Sequence, residues 1–255
     1  AIRVYDAQQS RIESDNLTKA FEFERDVKLP FIMKLEEEGV CIDWKLRDKL
    51  QDKYEGRLEV LVRKLQDYPE VRLASGESNS FNPNSPVQVR KLCFDVLKLP
   101  KFKDDFFYTD TGQHSVGRAV IDEWLDLPST GGVAGEILNH IVSIKRIGKV
   151  IGTYYRPLPD LRCKDGKVHP NFNNINTVTW RLSANEPNVQ QLPRDGVEYS
   201  KIGDDALTSG DIKKLFIPPG PDYILCEADL AQIELRIAAL LSQDAEMLKS
   251  FFNPD

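Results

Sequence analysis

The sequence is poor in residues that staple or chelate. Among 255 residues there are four cysteines and three histidines. Cys41, Cys93, Cys163 and Cys226 stand far apart and form no CxxC pair. That spacing speaks against a zinc site and a disulfide framework and makes a reducing compartment the default. No apolar run approaches the ~18 residues that span a membrane, so no membrane partner is expected. The first ten residues lack the basic start and apolar stretch of a signal peptide. No internal repeat is present. What remains, 29% charged and 41% hydrophobic residues, is ordinary globular composition. It excludes collagen-like, low-complexity and wholly disordered chains, and the length suffices for one large domain or two smaller ones. The formal net charge of −6 argues against a nucleic-acid binder, but a total hides patches.

The first half reads as helical. Residues 17–38 carry Leu17, Phe21, Leu29, Ile32, Met33 and Leu35 at helical spacing, with Asn16 as N-cap, Gly39 as stop and Pro30 as the point that kinks or divides the helix. After Asp43, apolar residues Leu46, Leu50, Tyr54, Leu58, Leu61 and Leu65 recur every three or four positions, the clearest amphipathic helix in the chain. Its other face mixes Lys45, Arg47, Lys49, Lys53, Arg57, Arg63 and Lys64 with acids, and reads as a solvated face rather than a contact surface. Residues 74–86 (ASGESNSFNPNSP) form a turn-rich polar loop, expected to be a mobile tip. Short helices are expected at 87–97 and 116–124, and a long one over 133–155 with Ile137, Ile141, Ile144, Ile147, Ile151 and Tyr154 on one stripe.

Near residue 160 the pattern changes. Lys164-Asp165-Gly166-Lys167 is a hairpin signal, and residues 168–178 are rich in Asn and β-branched side chains. Residues 223–229 (YILCEAD) read as a short buried strand delivering Asp229 at its end, with Glu227 on the same face and an apolar helix at 233–241. Asp229 suits either a Mg²⁺ ligand or the N-cap of that helix. From 142 to 170 seven basic residues face only Asp160 and Asp165. Such a stretch suits a phosphate backbone, with solvated lysines as the alternative. Residues 177–193 are dense in amides and hydroxyls around Arg181, apt for hydrogen bonds to sugars, phosphates and base edges, or for a polar loop over a sheet end.

Two of these strings carry a resemblance. Residues 229–236 (DLAQIELR) resemble motif A of the family A DNA polymerases, and residues 177–193 (TVTWRLSANEPNVQQLP) resemble the segment just upstream of it. Residues 29–43 (LPFIMKLEEEGVCID) are similar to the helix before that family's thumb, and residues 81–100 (FNPNSPVQVRKLCFDVLKLP) to a thumb segment. Residues 145–154 followed by 168–174 resemble the end of the long thumb helix and the start of the palm. Val4-Tyr5-Asp6-Ala7 resembles the last acidic motif of the preceding 3′–5′ exonuclease domain. The resemblance implies an exonuclease-domain remnant at 1–14, a helical thumb and its base at 15–160, and the first half of a palm at 161–255. The implied fold class is α+β, with a small antiparallel sheet in the palm.

The implied activity is template-directed DNA synthesis, the transfer of dNTPs to a primer 3′-OH. Asp229 would be one of two palm carboxylates holding two Mg²⁺ ions, with the Leu230 carbonyl as a further ligand. Glu234 would crowd the sugar 2′ position and select deoxyribonucleotides, and Gln232 would lie near the incoming triphosphate. Arg181 would reach the minor groove near the primer end, with Thr177, Asn188 and Gln190 on the duplex. Lys149 and the loop from Asn82 to Ser85 would touch the DNA backbone from the thumb. Two metals ~3.5–4 Å apart stabilise the attacking and leaving oxygens in such a reaction, and the rest is mostly alignment.

The sequence departs from the family in places. Trp180 replaces the usual Gly before Arg181, Leu230 and Ala231 replace Tyr and Ser, and Ile2 stands where the exonuclease motif wants Tyr. No His precedes an Asp and no Tyr precedes a Gly, so the second palm carboxylate and the fingers helix are missing from this sequence. The chain is therefore expected not to polymerise alone, but to work with a second chain supplying both, as one piece of a split, virus-encoded polymerase in the bacterial cytoplasm, or else to be an artificial or proteolytic fragment. The alternative is a non-catalytic primer-template DNA-binding protein that kept the thumb and lost the chemistry.

Overall fold

The computed structural model describes residues 2–76, 80–174, 177–179, 181–193, 196–202 and 205–252. The chain divides into two compact units, Ala1–Ile217 and Pro218–Asp255. Its architecture is α+β: mostly helical, with three small two-stranded antiparallel sheets among the described residues.

The first unit opens with helix α1 (Ile2–Ser14), which carries Tyr5 and Asp6 exposed. Helix α2 (Thr18–Phe23) follows, and then a π-helical turn at Glu24–Lys28 leads into α3 (Leu29–Glu38). The division expected at Pro30 thus lies one turn earlier. Pro30 has no N–H to give the Asp26 carbonyl, and the ladder widens before it so that the Leu29 N–H reaches Glu24 O. Leu17, rather than Asn16, occupies the N-cap position, and Asn16 lies one residue before it in the left-handed region at φ 56°. Of the apolar stripe here only Ile32 is buried, while Leu29 and Met33 are exposed.

Asp43 caps helix α4 (Trp44–Asp67), its Oδ1 accepting from the Leu46 N–H at 2.9 Å. The expected stripe faces inward: Leu50, Tyr54, Leu61 and Leu65 are buried. Opposite it lies α8 (Gly132–Val150), continued by a π-helical turn at Ile151–Tyr155, with Ile137, Ile141, Ile144, Ile147 and Ile151 all buried. Between them run α5 (Pro69–Ser75), α6 (Pro86–Arg90) with a π-helical turn at Lys91–Val96, and α7 (Arg118–Asp126). Trp124 of α7 is fully buried and donates its indole N–H to Pro100 O at 2.9 Å. His114 stacks on Trp124 with ring centroids 6.2 Å apart, making it a core histidine. The four cysteines are free, and burial pushes the Cys93 thiol up to about 12.

Two expectations fail on α4. Arg47 and Arg57 are buried rather than solvated. Arg47 donates Nε to the Tyr155 carbonyl at 3.0 Å and pairs with Asp48 at 2.6 Å. Arg57 donates to Ser200 Oγ at 3.2 Å. Their aliphatic stems cover the core while the guanidinium groups find polar partners brought in by later chain. The loop at 74–86 also differs from a free tip. Phe81 is buried, and its N–H and carbonyl are both held by the Gln66 side chain at 3.0 and 2.6 Å.

The β part wraps this helical frame. Strand β1 (Cys41–Ile42) pairs with β6 (Phe216–Ile217), and β2 (Asn171–Asn173) with β3 (Ser183–Asn185). Strand β4 (Glu198–Ile202) pairs with β5 (Asp205–Thr208), and helix α9 (Gly210–Lys213) follows. The Tyr54 hydroxyl lies 2.8 Å from Thr208 O and 3.1 Å from Asp211, tying β5 and α9 to α4. The expected turn at 164–167 forms, with Gly166 at φ 84° and the Cys163 N–H on Lys167 O at 2.9 Å. It clamps the end of α3. Val40 and Val168 exchange backbone bonds at 2.8 and 3.0 Å, and Lys167 Nζ reaches Glu38 O at 2.7 Å. Gly39, at φ 62°, sits so close that a Cβ would lie 2.7 Å from His169 Cε1 and 2.9 Å from Val168 O.

In the second unit the strand expected at 223–229 is absent. Residues 223–230 have no regular structure, and Tyr223, Ile224 and Leu225 are exposed. A strand needs a ladder, and no described segment of this unit pairs with it. Helix α10 (Ile233–Ser242) forms as expected and packs on α11 (Ala245–Phe252).

Two outcomes follow. Tyr54→Phe leaves the Asp211 carboxylate short of a donor inside the core and lowers unfolding stability in urea by about 1–3 kcal/mol; an unchanged midpoint would show that the hydroxyl is idle. His169 has Nδ1 2.6 Å from Glu36 O and Nε2 3.0 Å from the Asp165 carboxylate, so the doubly protonated ring satisfies both. The Glu36 carbonyl first and Asp165 second raise its pKa, while the Lys167 N–H first and His169 next lower that of Asp165. The tie is fully present below about pH 6.5 and is lost as pH rises through the raised imidazole value; its acid side is lost below about pH 4. Melting temperatures of the parent minus His169→Gln should therefore show their largest gap near pH 5 and a shrinking one toward pH 8.

Candidate functional site

The residues expected to meet DNA from the thumb lie in the first unit. Lys149 is exposed near the end of α8. Asn82 and Ser85 lie in the loop before α6, and the structure brings that loop to the same helix. Asn82, Pro83 and Asn84 share a hollow of about 330 Å³ with Ile144 and Gly148 of α8. Both polar side chains also have local tasks. Asn82 Oδ1 accepts from the Asn84 N–H at 2.9 Å, and Ser85 Oγ caps α6 through the Gln88 N–H at 3.4 Å. Phe81 and Gln66, which anchor the loop, went unnoticed in the sequence; the apolar Phe81 in a polar run was the available signal.

The amide-rich segment lies against the same helix end, because the Tyr154 hydroxyl donates to Gln191 O at 2.6 Å. Thr177 Oγ1 donates to Arg181 O at 2.6 Å and so closes a small loop, leaving Arg181 exposed. Asn188 caps a 3₁₀ turn, its Oδ1 accepting from the N–H groups of Gln190 and Gln191 at 3.2 Å each. Gln190 is exposed. Trp180 lies outside the described residues. Lys149 and the loop at Asn82 therefore lie on α8, and the amide-rich segment meets the π-helical turn that follows it through Gln191, whereas Asn188 is in part a structural cap.

The second unit carries Asp229, Leu230, Gln232 and Glu234. All four are exposed. The N-cap of α10 is Gln232, at φ 52°, with no side-chain cap, so Asp229 is not the helix cap that the sequence allowed. The pairing of Glu227 with Asp229 on one strand face also lapses with the strand. The Leu230 carbonyl accepts from the Ile233 N–H at 3.2 Å and retains a second lone pair. Arg236, quoted in the motif without a role, organises this turn. It donates to Ala231 O at 2.9 Å and to Phe251 O at 3.0 Å, and its guanidinium lies 5.5 Å from the Phe251 ring centre. Among the described residues no group of three His, Cys, Asp or Glu side chains is gathered to hold a metal ion. The donor set at 229–230, one carboxylate and one carbonyl, is of the hard-oxygen kind that suits Mg²⁺ but is only part of a site.

Three comparisons bear on these features. The sequence profile of DNA polymerase family A matches residues 48–255. DNA polymerase I of Helicobacter pylori strain J99 is 30% identical over 96% of this chain and 23% of its own length. DNA polymerase I of Bacillus subtilis strain 168 is 31% identical over 95% of this chain and 24% of its own length. The chain thus spans about a quarter of the length of these curated relatives. A solved structure, the POL domain of Pol1 from M. smegmatis in complex with DNA primer-template and dNTP, superposes with a TM-score of 0.68, covering 96% of this chain and 38% of that one at 24% identity. That likeness extends the agreement to the fold. With the profile reaching from within α4 through motif A, this chain belongs to DNA polymerase family A.

Proposed function

We propose that this chain contributes to template-directed DNA synthesis as a partial polymerase. Residues 15–160 would serve as thumb and base, residues 161–255 as the first half of a palm, and residues 1–14 as the remnant of an exonuclease domain. The observation that carries the reading is the meeting of Lys149 and the Asn82–Ser85 loop on α8, with Gln191 of the amide-rich segment held at the turn that ends this helix, joined to a family match that runs through Asp229. Arg181, Thr177, Asn188 and Gln190 would lie along the primer-template duplex. Asp229 and the Leu230 carbonyl would hold Mg²⁺, which when bound supplies charge stabilisation at the transferring phosphoryl group. Gln232 would face the dNTP phosphates and Glu234 the sugar 2′ position.

A second polypeptide, bearing the other palm carboxylate and the fingers, would complete the site. Among the described residues no three His, Cys, Asp or Glu side chains are gathered at motif A, and Tyr223, Ile224 and Leu225 are exposed. A bacterial cytoplasmic setting, with or without a virus as the source, follows from this reading; among the described residues no helix is long and apolar enough to cross a membrane. The second reading, a primer-template binding protein without chemistry, draws on the same partial metal site.

Primer extension separates the two. Mixed with a polypeptide carrying a His-Asp pair and a helix ending in Tyr-Gly, the chain should extend a primer, and the chain alone should not. Asp229→Asn should abolish extension in the mixture, a loss of at least about 100-fold, while leaving duplex affinity within about twofold. Extension untouched by that change would favour the binding-protein reading, and full extension by the chain alone would refute the partial-site reading. In the same assay Glu234→Ala should raise ribonucleotide incorporation relative to deoxyribonucleotide incorporation; an unaltered ratio would remove the gate role from Glu234.

A further inference from the structure

We propose that Arg236 is a positioning residue for dNTP binding: it fixes the peptide between Ala231 and Gln232 and so holds Gln232 in the backbone conformation that presents its side chain to the triphosphate. The proposal rests on the reading in which Gln232 faces the dNTP phosphates. It starts from the backbone. Gln232 is the N-cap of α10, a position that ordinarily has extended dihedrals and a side chain accepting from the first turn. Here φ is 52° and ψ 37°, in the left-handed region, with no side-chain cap. A residue with a Cβ enters that region against a steric penalty. Gln243, at the other end of the helix, has φ 55°, but there the conformation ends a helix in the usual way, with its N–H on Ala239 O at 3.0 Å. Local strain that surroundings hold in place concentrates at ligand-binding positions, and the strained residue here is the one that the motif assigns to the triphosphate.

Arg236 supplies the hold. Its Nε donates to Ala231 O at 2.9 Å, the carbonyl of the peptide whose rotation about the Gln232 N–Cα bond defines φ. A return of Gln232 to negative φ would swing that oxygen away from the guanidinium. The helix side of Gln232 is fixed as well, because its carbonyl accepts from the Arg236 N–H at 3.0 Å. One residue thus grips both peptides that flank Gln232, one through its side chain and one through its main chain. The guanidinium is itself anchored. Nη1 donates at 3.0 Å to Phe251 O, in the last turn of α11 where carbonyls lack a helical partner, and the group lies 5.5 Å from the Phe251 ring centre. The planar fork of arginine serves two carbonyls at once, which a lysine ammonium on its flexible stem does not reproduce. On the other side of the turn residues 223–230 have no regular structure, so among the described residues no strand ladder shares the task.

The test mixes the full chain with a polypeptide carrying the other palm carboxylate and the fingers. The primer ends in a dideoxynucleotide, so that binding of the next dNTP is read without chemistry. Arg236→Ala should raise the dNTP Kd about tenfold, the scale of one hydrogen bond to a charged group, and leave primer-template affinity within about twofold. Arg236→Lys, which keeps the cation near Phe251 but loses the fork, should raise Kd about threefold with an unchanged thermal midpoint. Gln232→Gly takes the left-handed backbone without strain and lacks the side chain. It should weaken dNTP binding by itself and make Arg236→Ala nearly silent in the double variant. An arginine that merely supports the fold would give the same loss in the Gln232→Gly chain, and that outcome overturns the proposal. Should Arg236→Ala not fold, the same cycle is run with Arg236→Lys, and a parent-like Kd there overturns it too. If the parent mixture binds dNTP and Arg236→Ala matches it, the positioning role falls and the motif A reading survives. If the parent mixture binds primer-template but no dNTP, both fall.

Discussion

The seam between α4 and α8 is the constraint on which the first unit depends. Isoleucines at 137, 141, 144, 147 and 151 meet Leu50, Leu61 and Leu65, and none of these is exposed by more than a few per cent. Such side chains lose water from all sides, each worth roughly 1.5–3 kcal/mol of transfer free energy before entropy is subtracted. The seam is apolar through its middle and polar at its ends. Arg47 closes one end on the Tyr155 carbonyl, at the π-helical turn where α8 finishes. Tyr54 meets Thr208 and Asp211 through its hydroxyl, and burial before its neighbours raises the pKa of that phenol, keeping it a neutral donor. Lys149 lies on α8 and the loop at Asn82 packs against it, so the seam sets where these residues of the proposed DNA contact are placed.

The proposed reading divides the work between the two units. In the first unit, basic and amide side chains are set on a rigid frame: the Phe81 loop is pinned by Gln66, and the Gln191 segment by Tyr154. In the second, Arg236 ties the turn at 229–232 to α11 by donating to Ala231 O and Phe251 O. A surface that grips a duplex gains from rigidity, because phosphate contacts fix register.

What the sequence disclosed follows physical range. Helices α4, α8 and α10 were legible because their spacing of apolar residues is a local signal, and the Gly166 turn because its chemistry lies within four residues. Motif A was legible as a string. The burial of Arg47 and Arg57 was not, since their partners lie 108 and 143 residues away. The widening of the helix at Glu24–Lys28 was half legible: Pro30 announced a break but not on which side. The strand at 223–229 was misread because a short apolar run reports a wish to be buried, and only a neighbouring edge makes it a strand. Asp229 as a metal ligand or helix cap stood level on sequence alone, and the cap position of Gln232 removes one of the two.

The bare run Tyr223-Ile224-Leu225-Cys226 carries a cost for anyone handling the protein. Three large apolar side chains and an unladdered backbone in water make a sticky template, as open sheet edges generally do. Cys226 is exposed beside them, so two molecules meeting at this run can also be joined by oxidation. Concentrated, unreduced stocks of the isolated chain are thus drawn toward clumping through this short stretch.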